Sequence, residues 1–253
     1  MERYPGTPCW QHRGRSFGPA AERYDRIRPS YPVEALRWIL GDQPSRVVDL
    51  GAGTGILTRQ LVALGHEVIP VEPDPAMRAL IPAELAPRDG TAEAIPLPDA
   101  SVDAVVAGQA YHWFDQDKAH PEIARVLRPG GVFGPLWNER DDSVDWIRQL
   151  SLVADDTGKC GGPHVVHSLG PHFTAVERRE FRHATTHTVD SLVELMRTRS
   201  YYLISMVQRQ REIEAAIRQL VATHPDLAGR DTFEPWYVTD TYRASVVALE
   251  DQA

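Results

Sequence analysis

A glycine-rich run between two apolar segments constrains the fold of this chain more than any other feature. Residues 49–55 read Asp-Leu-Gly-Ala-Gly-Thr-Gly. The apolar run 46–50 before them predicts a buried strand, and the pattern 56–64 after them predicts a helix. Glycine lets the backbone turn sharply and approach a ligand closely. Since open α/β sheets bind ligands at the carboxyl ends of their strands, the run predicts a binding crevice.

The alternation of apolar runs and helical patterns continues along the chain. Further strands are expected at 67–71, in a region before Thr91, at 101–107 and at 132–137, with helices between them. Repeating βα units predict a doubly wound, mostly parallel, Rossmann-like α/β sheet. Later residues predict a helical insertion or cap and an antiparallel last strand, 233–244, at the edge of the sheet.

This pattern divides the chain into three predicted parts. Residues 1–32 form an N-terminal arm that caps the site. Residues 33–140 form the α/β core, and residues 141–253 supply the helical insertion and the final strands. A chain of 253 residues is long enough to bury a substantial core without covalent staples.

Composition narrows the classes of function. The chain has 27 Lys and Arg against 35 Asp and Glu, a net charge of −8 that disfavours phosphate backbones as partners. No signal peptide is visible, and no stretch reaches the roughly 20 apolar residues that span a bilayer. Cys9 and Cys160 have no metal-type spacing, and we expect reduced thiols and a cytoplasmic location. His164 and His167 lack further ligands, so no metal is predicted.

Glu72 is the first candidate ligand-binding side chain. It ends the second predicted strand, 17 residues after Gly55. A carboxylate there can accept hydrogen bonds from both hydroxyls of a ribose, although a solvated glutamate at a strand end is the alternative. The glycine spacing, Gly-x-Gly-x-Gly, departs from the Gly-x-Gly-x-x-Gly of dinucleotide-binding proteins and so argues against NAD.

A second candidate region is the loop 91–97, which contains Ala92 and Glu93. An acidic side chain there can accept from an adenine amino group, while a backbone N–H meets a ring nitrogen. Prolines mark the segment as a loop, and an ordinary turn is the alternative.

Residues 46–137 resemble the class I S-adenosylmethionine (SAM) dependent methyltransferases, specifically the branch that acts on small molecules. The matching pieces, in the order and spacing of that family, are 47–55, 71–74, 92–96, 103–105 and 126–131. The resemblance implies SAM as cofactor and S-adenosylhomocysteine as product. It places Gly51, Ala52 and Gly53 against the methionine part of SAM, Glu72 on the ribose and Glu93 beside the adenine. The other predicted cofactor-binding residues in the matching pieces are Asp49, Pro73 and Ala92.

A narrower resemblance is to trans-aconitate methyltransferase-like proteins. It is carried by residues 17–32, by Gln-Ala-Tyr-His-Trp-Phe-Asp at 109–115, and by 236–243. Members of that subgroup often have Cys where this chain has Ala52, and a backbone role is unaffected by that difference.

The chemistry of methyl transfer selects the remaining candidates. Gln109 and Trp113 follow the strand 101–107, where they can contact the cofactor, and His112 has a pKa suited to proton transfer. Tyr24 and Arg28 belong to the N-terminal arm and are, with His112, the predicted catalytic residues; Arg28 can hold a carboxylate in a bidentate pair. Packing is the alternative for Trp113 and His112, and a surface position for Arg28.

Two residues after the strand 132–137, Asn138 and Arg140, are also expected to line the acceptor pocket. The sequence therefore predicts a methyltransferase that acts on a small organic acceptor, a carboxylate or hydroxyl, by in-line displacement. Neither nucleic acid nor a membrane is an expected partner, and a monomer or a homodimer is expected. A non-catalytic SAM-binding regulatory protein and, less favoured, a NAD-dependent oxidoreductase are the alternatives.

Overall fold

The computed structural model describes residues 21–154 and 165–247 of the chain. Cys9, Cys160, His164 and most of the predicted N-terminal arm lie outside the described residues. The chain divides into two compact units. We call residues 30–138, 164–181 and 239–253 the core unit, and residues 1–29, 139–163 and 182–238 the helical unit. The predicted division into three parts stays a prediction.

Six strands and nine α-helices are found within the described residues. The strands are β1 Arg46–Leu50, β2 Glu67–Val71, β3 Val102–Gly108, β4 Leu127–Arg140, β5 Glu177–Ala184 and β6 Trp236–Ser245. The helices are α1 Ala21–Ile27, α2 Val33–Leu40, α3 Ile56–Ala63, α4 Pro75–Arg78, α5 Gln116–Val126, α6 Asp145–Ala154, α7 Val189–Met196, α8 Ser200–Leu203 and α9 Val207–Thr223.

The strands form one sheet in the order β2-β1-β3-β4-β6-β5. β1 pairs in parallel with β2 and β3, and β3 pairs in parallel with β4. Side chains of a strand alternate between its two faces. Val47 accordingly packs with Leu36 and Leu61 of α2 and α3, while Val48 packs in the cluster that contains Ile123 of α5. Helices cover both faces, as the doubly wound prediction requires.

β6 is the antiparallel last strand, but it does not lie at the edge. The amide of Val246 donates to the carbonyl of Gly131, and that of Asp141 donates to the carbonyl of Trp236, a pairing that only opposite strand directions allow. β6 lies between β4 and β5, so the predicted edge position was wrong. The edge of β4 that faces away from β3 is thus hydrogen-bonded to the antiparallel segment that contains β6.

The strand region expected before Thr91 forms only a single bridge, between Val71 and Arg88. Pro82 and Pro87 flank the short 3-10 helix Ala83–Leu85. Because proline lacks an amide hydrogen, such a segment cannot donate regularly to a ladder.

The helical unit has a core of its own. Ile147 of α6, Leu192 of α7 and Ile217 of α9 are fully buried in one apolar cluster. α1 belongs to the same unit, where Arg23 forms an ion pair with Glu194 at 2.9 Å. No helix in residues 21–154 and 165–247 is long and apolar enough to cross a membrane.

Candidate functional site

The glycine loop connects β1 to α3. Gly51 has φ of +70° and Gly53 has φ of +59°, conformations that favour glycine. The amides of Gly51 and Ala52 both donate to the carbonyl of Val71, at 2.9 and 3.1 Å, which fixes the loop to the end of β2. A Cβ on Gly51 would lie 2.7 Å from the Cβ of Ala110, so this close approach requires glycine.

Glu72 directly follows β2, lies beside this loop and is 7% exposed. Its Oε2 accepts from the amide of Gly53 at 2.8 Å, and its Oε1 accepts from the amide of Asp74 at 2.8 Å. Burial raises the pKa of Glu72, and these two amides counteract the rise. An ionised carboxylate has about four acceptor positions, so each oxygen retains one for a ligand hydroxyl.

Asp49 lies in β1 and is buried. Its Oδ2 accepts from the hydroxyl of Thr58 at 2.6 Å, a bond that joins the strand to the first turn of α3. Burial raises the pKa of Asp49 to about 7; the Thr58 bond opposes this rise, and the nearby charge of Glu72 adds to it. The structure thus brings Asp49 and Glu72 into one electrostatically coupled group. Sequence reasoning did not identify Thr58, which has no motif of its own.

Gln109 follows β3 in a left-handed conformation, with φ of +56°. Such a conformation costs a non-glycine residue roughly 1–2 kcal/mol. Its amide donates to the carbonyl of Leu136 and its side-chain Nε2 donates to the carbonyl of Asn138, both at 2.9 Å. Backbone strain held in this way is a feature of functional sites, which supports the prediction for Gln109.

The loop 91–97 is held to the segment after β3. The Oε1 of Glu93 accepts from the amide of Asp115 at 2.8 Å. Ala92 is buried, whereas Pro73 is exposed. Asn138 is buried and its Oδ1 accepts from the hydroxyl of Thr239 at 2.7 Å.

His112 and Trp113 lie in the 3-10 helix Tyr111–Trp113. The indole Nε1 of Trp137 donates to Nδ1 of His112 at 3.1 Å. Because indole nitrogen only donates, Nδ1 is unprotonated in this arrangement and the ring proton lies on Nε2. Nδ1 is therefore engaged as an acceptor, which weakens the case for His112 as a general base. The ring of Trp113 lies 4.3 Å from that of His112, between centroids.

Tyr24 and Arg28 belong to the helical unit. The guanidinium of Arg28 lies 4.6 Å from the centroid of the Tyr24 ring, within cation–π distance. Its Nε and Nη2 donate to the hydroxyl and the carbonyl of Thr198, each at 2.9 Å. A capping role for these two residues stays a prediction. No group of His, Cys, Asp and Glu side chains in the described ranges has a geometry suited to a metal ion.

A Rossmann-like sheet with a glycine loop and a buried carboxylate at the end of β2 defines a class of proteins built to hold a nucleoside-containing ligand. Comparisons with known proteins narrow this class. The family model described as a methyltransferase domain matches residues 48–134. An uncharacterized methyltransferase of Mycobacterium tuberculosis is 44% identical over 235 residues, which cover 91% of this chain and 96% of the relative. This chain belongs to the class I SAM-dependent methyltransferase family.

Two further proteins are similar over smaller or more divergent regions. The malonyl-[acyl-carrier protein] O-methyltransferase of Methylococcus capsulatus is 36% identical over 142 residues, which cover 51% of this chain and 52% of that protein. A solved structure from Anaeromyxobacter dehalogenans, provisionally described as a type II methyltransferase, is 27% identical with a TM-score of 0.60, covering 87% of this chain and 97% of that one. The resemblance to trans-aconitate methyltransferase-like proteins stays a prediction.

Proposed function

We propose that the core unit binds SAM and that the enzyme transfers its methyl group to a small organic acceptor, through a carboxylate or hydroxyl oxygen. The observation that carries this proposal is the buried carboxylate of Glu72, hydrogen-bonded to Gly53 of the glycine loop. Each of its oxygens retains an acceptor position, as a ribose clamp requires. The glycine loop, which a Cβ on Gly51 would obstruct, fits the close approach of the same ligand.

The residues of the core unit have distinct parts in this proposal. Glu72 would orient the ribose, the backbone of Gly51, Ala52 and Gly53 would approach the methionine part, and Glu93 would lie beside the adenine. SAM supplies, when bound, a methyl group activated by the positive sulfur and transferred by in-line displacement, which leaves S-adenosylhomocysteine. The contribution of the protein is then position and exclusion of water rather than a strong base.

A carboxylate is the acceptor that agrees best with the state of His112. A carboxylate is already ionised at neutral pH and needs no base, whereas an amine or alcohol would need one. His112 has its Nδ1 occupied by Trp137 in the described structure. The partial relative that is an O-methyltransferase supports the same acceptor atom. A net charge of −8 disfavours nucleic acid as the acceptor.

Isothermal titration of the purified protein with SAM, S-adenosylhomocysteine and NAD tests the proposal. We expect saturable binding of the first two ligands and none of NAD. Incubation with SAM and a set of small organic acids, with S-adenosylhomocysteine as the readout, then tests turnover. Binding of NAD in place of SAM would refute the proposal, and SAM binding without turnover on any acceptor class would favour a regulatory role.

The buried carboxyl of Asp49 makes a prediction about stability. Its pKa of about 7 is raised above the ordinary value of 3.8, so its favourable contribution is complete below about pH 4 and is lost as pH rises through about 7. Asn cannot ionise. Asp49→Asn should therefore gain stability relative to wild type as the pH rises from 5 to 8, by about 1.4 kcal/mol for each pH unit below the pKa of Asp49. Thermal unfolding of both proteins across this range measures the difference.

The matched control for this prediction is Asp231→Asn, since Asp231 is exposed. The difference between that variant and wild type should change little with pH. A difference between Asp49→Asn and wild type that stays constant from pH 5 to pH 8 would show that Asp49 is already ionised at the lower pH.

A further inference from the structure

Three arginines of the helical unit come together although they are far apart in sequence. Arg28 directly follows α1, Arg140 ends β4, and Arg199 lies between α7 and α8. All three are partly buried. Burial, together with the positive charges of Arg28 and then Arg140, lowers the pKa of the Arg199 guanidinium to about 10. The Arg199 guanidinium therefore remains charged at neutral pH and is repelled by the positive charges of Arg28 and Arg140. We call these three residues the arginine cluster.

Within the described residues, the hydrogen-bond partners of the arginine cluster are uncharged, and they include the side chain of Tyr201 on Arg140. Arg28 donates twice to Thr198, and Nη1 of Arg140 lies 4.0 Å from the sulfur of Met196, a weak acceptor. The Nε of Arg199 is buried and has no hydrogen-bond partner among the described residues. A buried charged donor without a partner is costly, so this atom indicates that the site is incomplete without a ligand.

Carboxylates are present in the helical unit, but they pair with other arginines. Arg197, two residues before Arg199, is bound by Glu194 at 2.5 Å and by Glu214 at 2.7 Å. Across the ranges 21–154 and 165–247, no carboxylate lies within 4.0 Å of a guanidinium nitrogen of the arginine cluster. The cluster therefore concentrates positive charge that no carboxylate of the described ranges contacts directly, and Asp142 acts on Arg140 without such a contact.

We propose that the arginine cluster binds an oxyanion, the carboxylate or phosphate group of a small organic anion. The planar fork of an arginine matches the two oxygens of such a group, and three forks can surround one anion. An anion would relieve the mutual repulsion and supply the acceptor that the Nε of Arg199 lacks. This site does not depend on the proposed methyl transfer, because it would hold an acid whether the acid is the acceptor or an effector.

Titration calorimetry with three probes, inorganic phosphate, malonate and citrate, at constant ionic strength tests the proposal. We expect saturable binding of at least one probe to the full-length protein. Arg199→Met should weaken that binding at least about tenfold, the loss expected for one charge-assisted pair. Arg230→Met is the matched control, since Arg230 is exposed in the same unit, and it should bind as wild type does.

Two further measurements separate anion binding from a structural role. Without a probe, Arg199→Met should unfold at a temperature equal to or above that of wild type, because the repulsion is removed. Arg199→Lys keeps the charge but loses the fork, and it should retain weakened binding even if Arg199→Met does not fold. Absence of saturable binding of every probe, or equal binding by wild type and both Arg199 variants, would overturn the proposal.

The choice of probe and a turnover assay identify the source of the anion. Binding of malonate or citrate but not phosphate assigns the site to carboxylates, and the reverse assigns it to phosphate groups. If the bound acid also increases S-adenosylhomocysteine formation from SAM, it is an acceptor or an activator, and detection of its methyl ester identifies the acceptor. Binding without any change in turnover supports the anion site alone, so failure of the proposed function would be distinguishable from failure of this proposal.

Discussion

Replacing Glu72 with alanine should weaken SAM binding at least about a hundredfold. A ribose clamp makes two hydrogen bonds to a charged group, each worth about 1.5–3 kcal/mol, and about 3 kcal/mol corresponds to a factor of at least a hundred. The substitution also removes the acceptors of the Gly53 and Asp74 amides, so the loop loses the contact that holds it near β2. Titration with SAM and with S-adenosylhomocysteine measures the loss for both ligands.

Glu67→Ala is the matched control, because Glu67 begins β2, the strand that Glu72 directly follows. Its side chain is 68% exposed and forms an ion pair with Arg46, and exposed pairs contribute little to stability. This variant should bind SAM as wild type does. Glu72→Gln is a more conservative variant. The Gln side chain keeps one acceptor oxygen but places an NH2 donor against one of the two backbone N–H groups. Near-wild-type affinity in Glu72→Ala would place the cofactor elsewhere.

Much of the core unit was predictable because its signals are local. A buried parallel strand leaves an apolar run, and a tight turn before a helix leaves glycines, so the region from β1 to α3 is visible in the sequence. Glu72 was predictable for the same reason, as the first polar residue after an apolar strand. The structure confirms the mostly parallel sheet and brings Glu72 and Gly53 together at 2.8 Å.

Features that depend on contacts between distant segments were not predictable. The position of β6 between β4 and β5 depends on pairing between segments that lie far apart in sequence, and a strand pattern does not specify its neighbours. The arginine cluster is a further case, since Arg28 and Arg199 lie in segments with no shared motif. The left-handed conformation of Gln109 was also not predictable, because glutamine is not a residue type that favours positive φ.

Gly51→Ala should both destabilise the protein and abolish SAM binding. Alanine at φ of +70° costs about 1–2 kcal/mol, and its Cβ would lie 2.7 Å from the Cβ of Ala110, an overlap that adds about 1–3 kcal/mol. The free energy of unfolding should therefore fall by about 2–5 kcal/mol. Denaturant unfolding measures this fall. Titration with SAM measures the loss of affinity, which we expect because the glycine loop must move to relieve the overlap.

Gly41→Ala isolates the backbone part of this effect. Gly41 has φ of +78° and ψ of −172°, a region open almost only to glycine, and nothing lies within 4 Å of a Cβ built on it, so its substitution should cost about 1–3 kcal/mol and leave SAM binding unchanged. In the double variant Gly51→Ala with Ala110→Gly the overlap is removed while the strained φ remains. The double variant should then lose less free energy of unfolding than the two single variants lose in sum, because the two residues are in contact. Equal losses in Gly41→Ala and Gly51→Ala, with SAM binding intact in both, would mean that the approach of the glycine loop to Ala110 is not what forms the site.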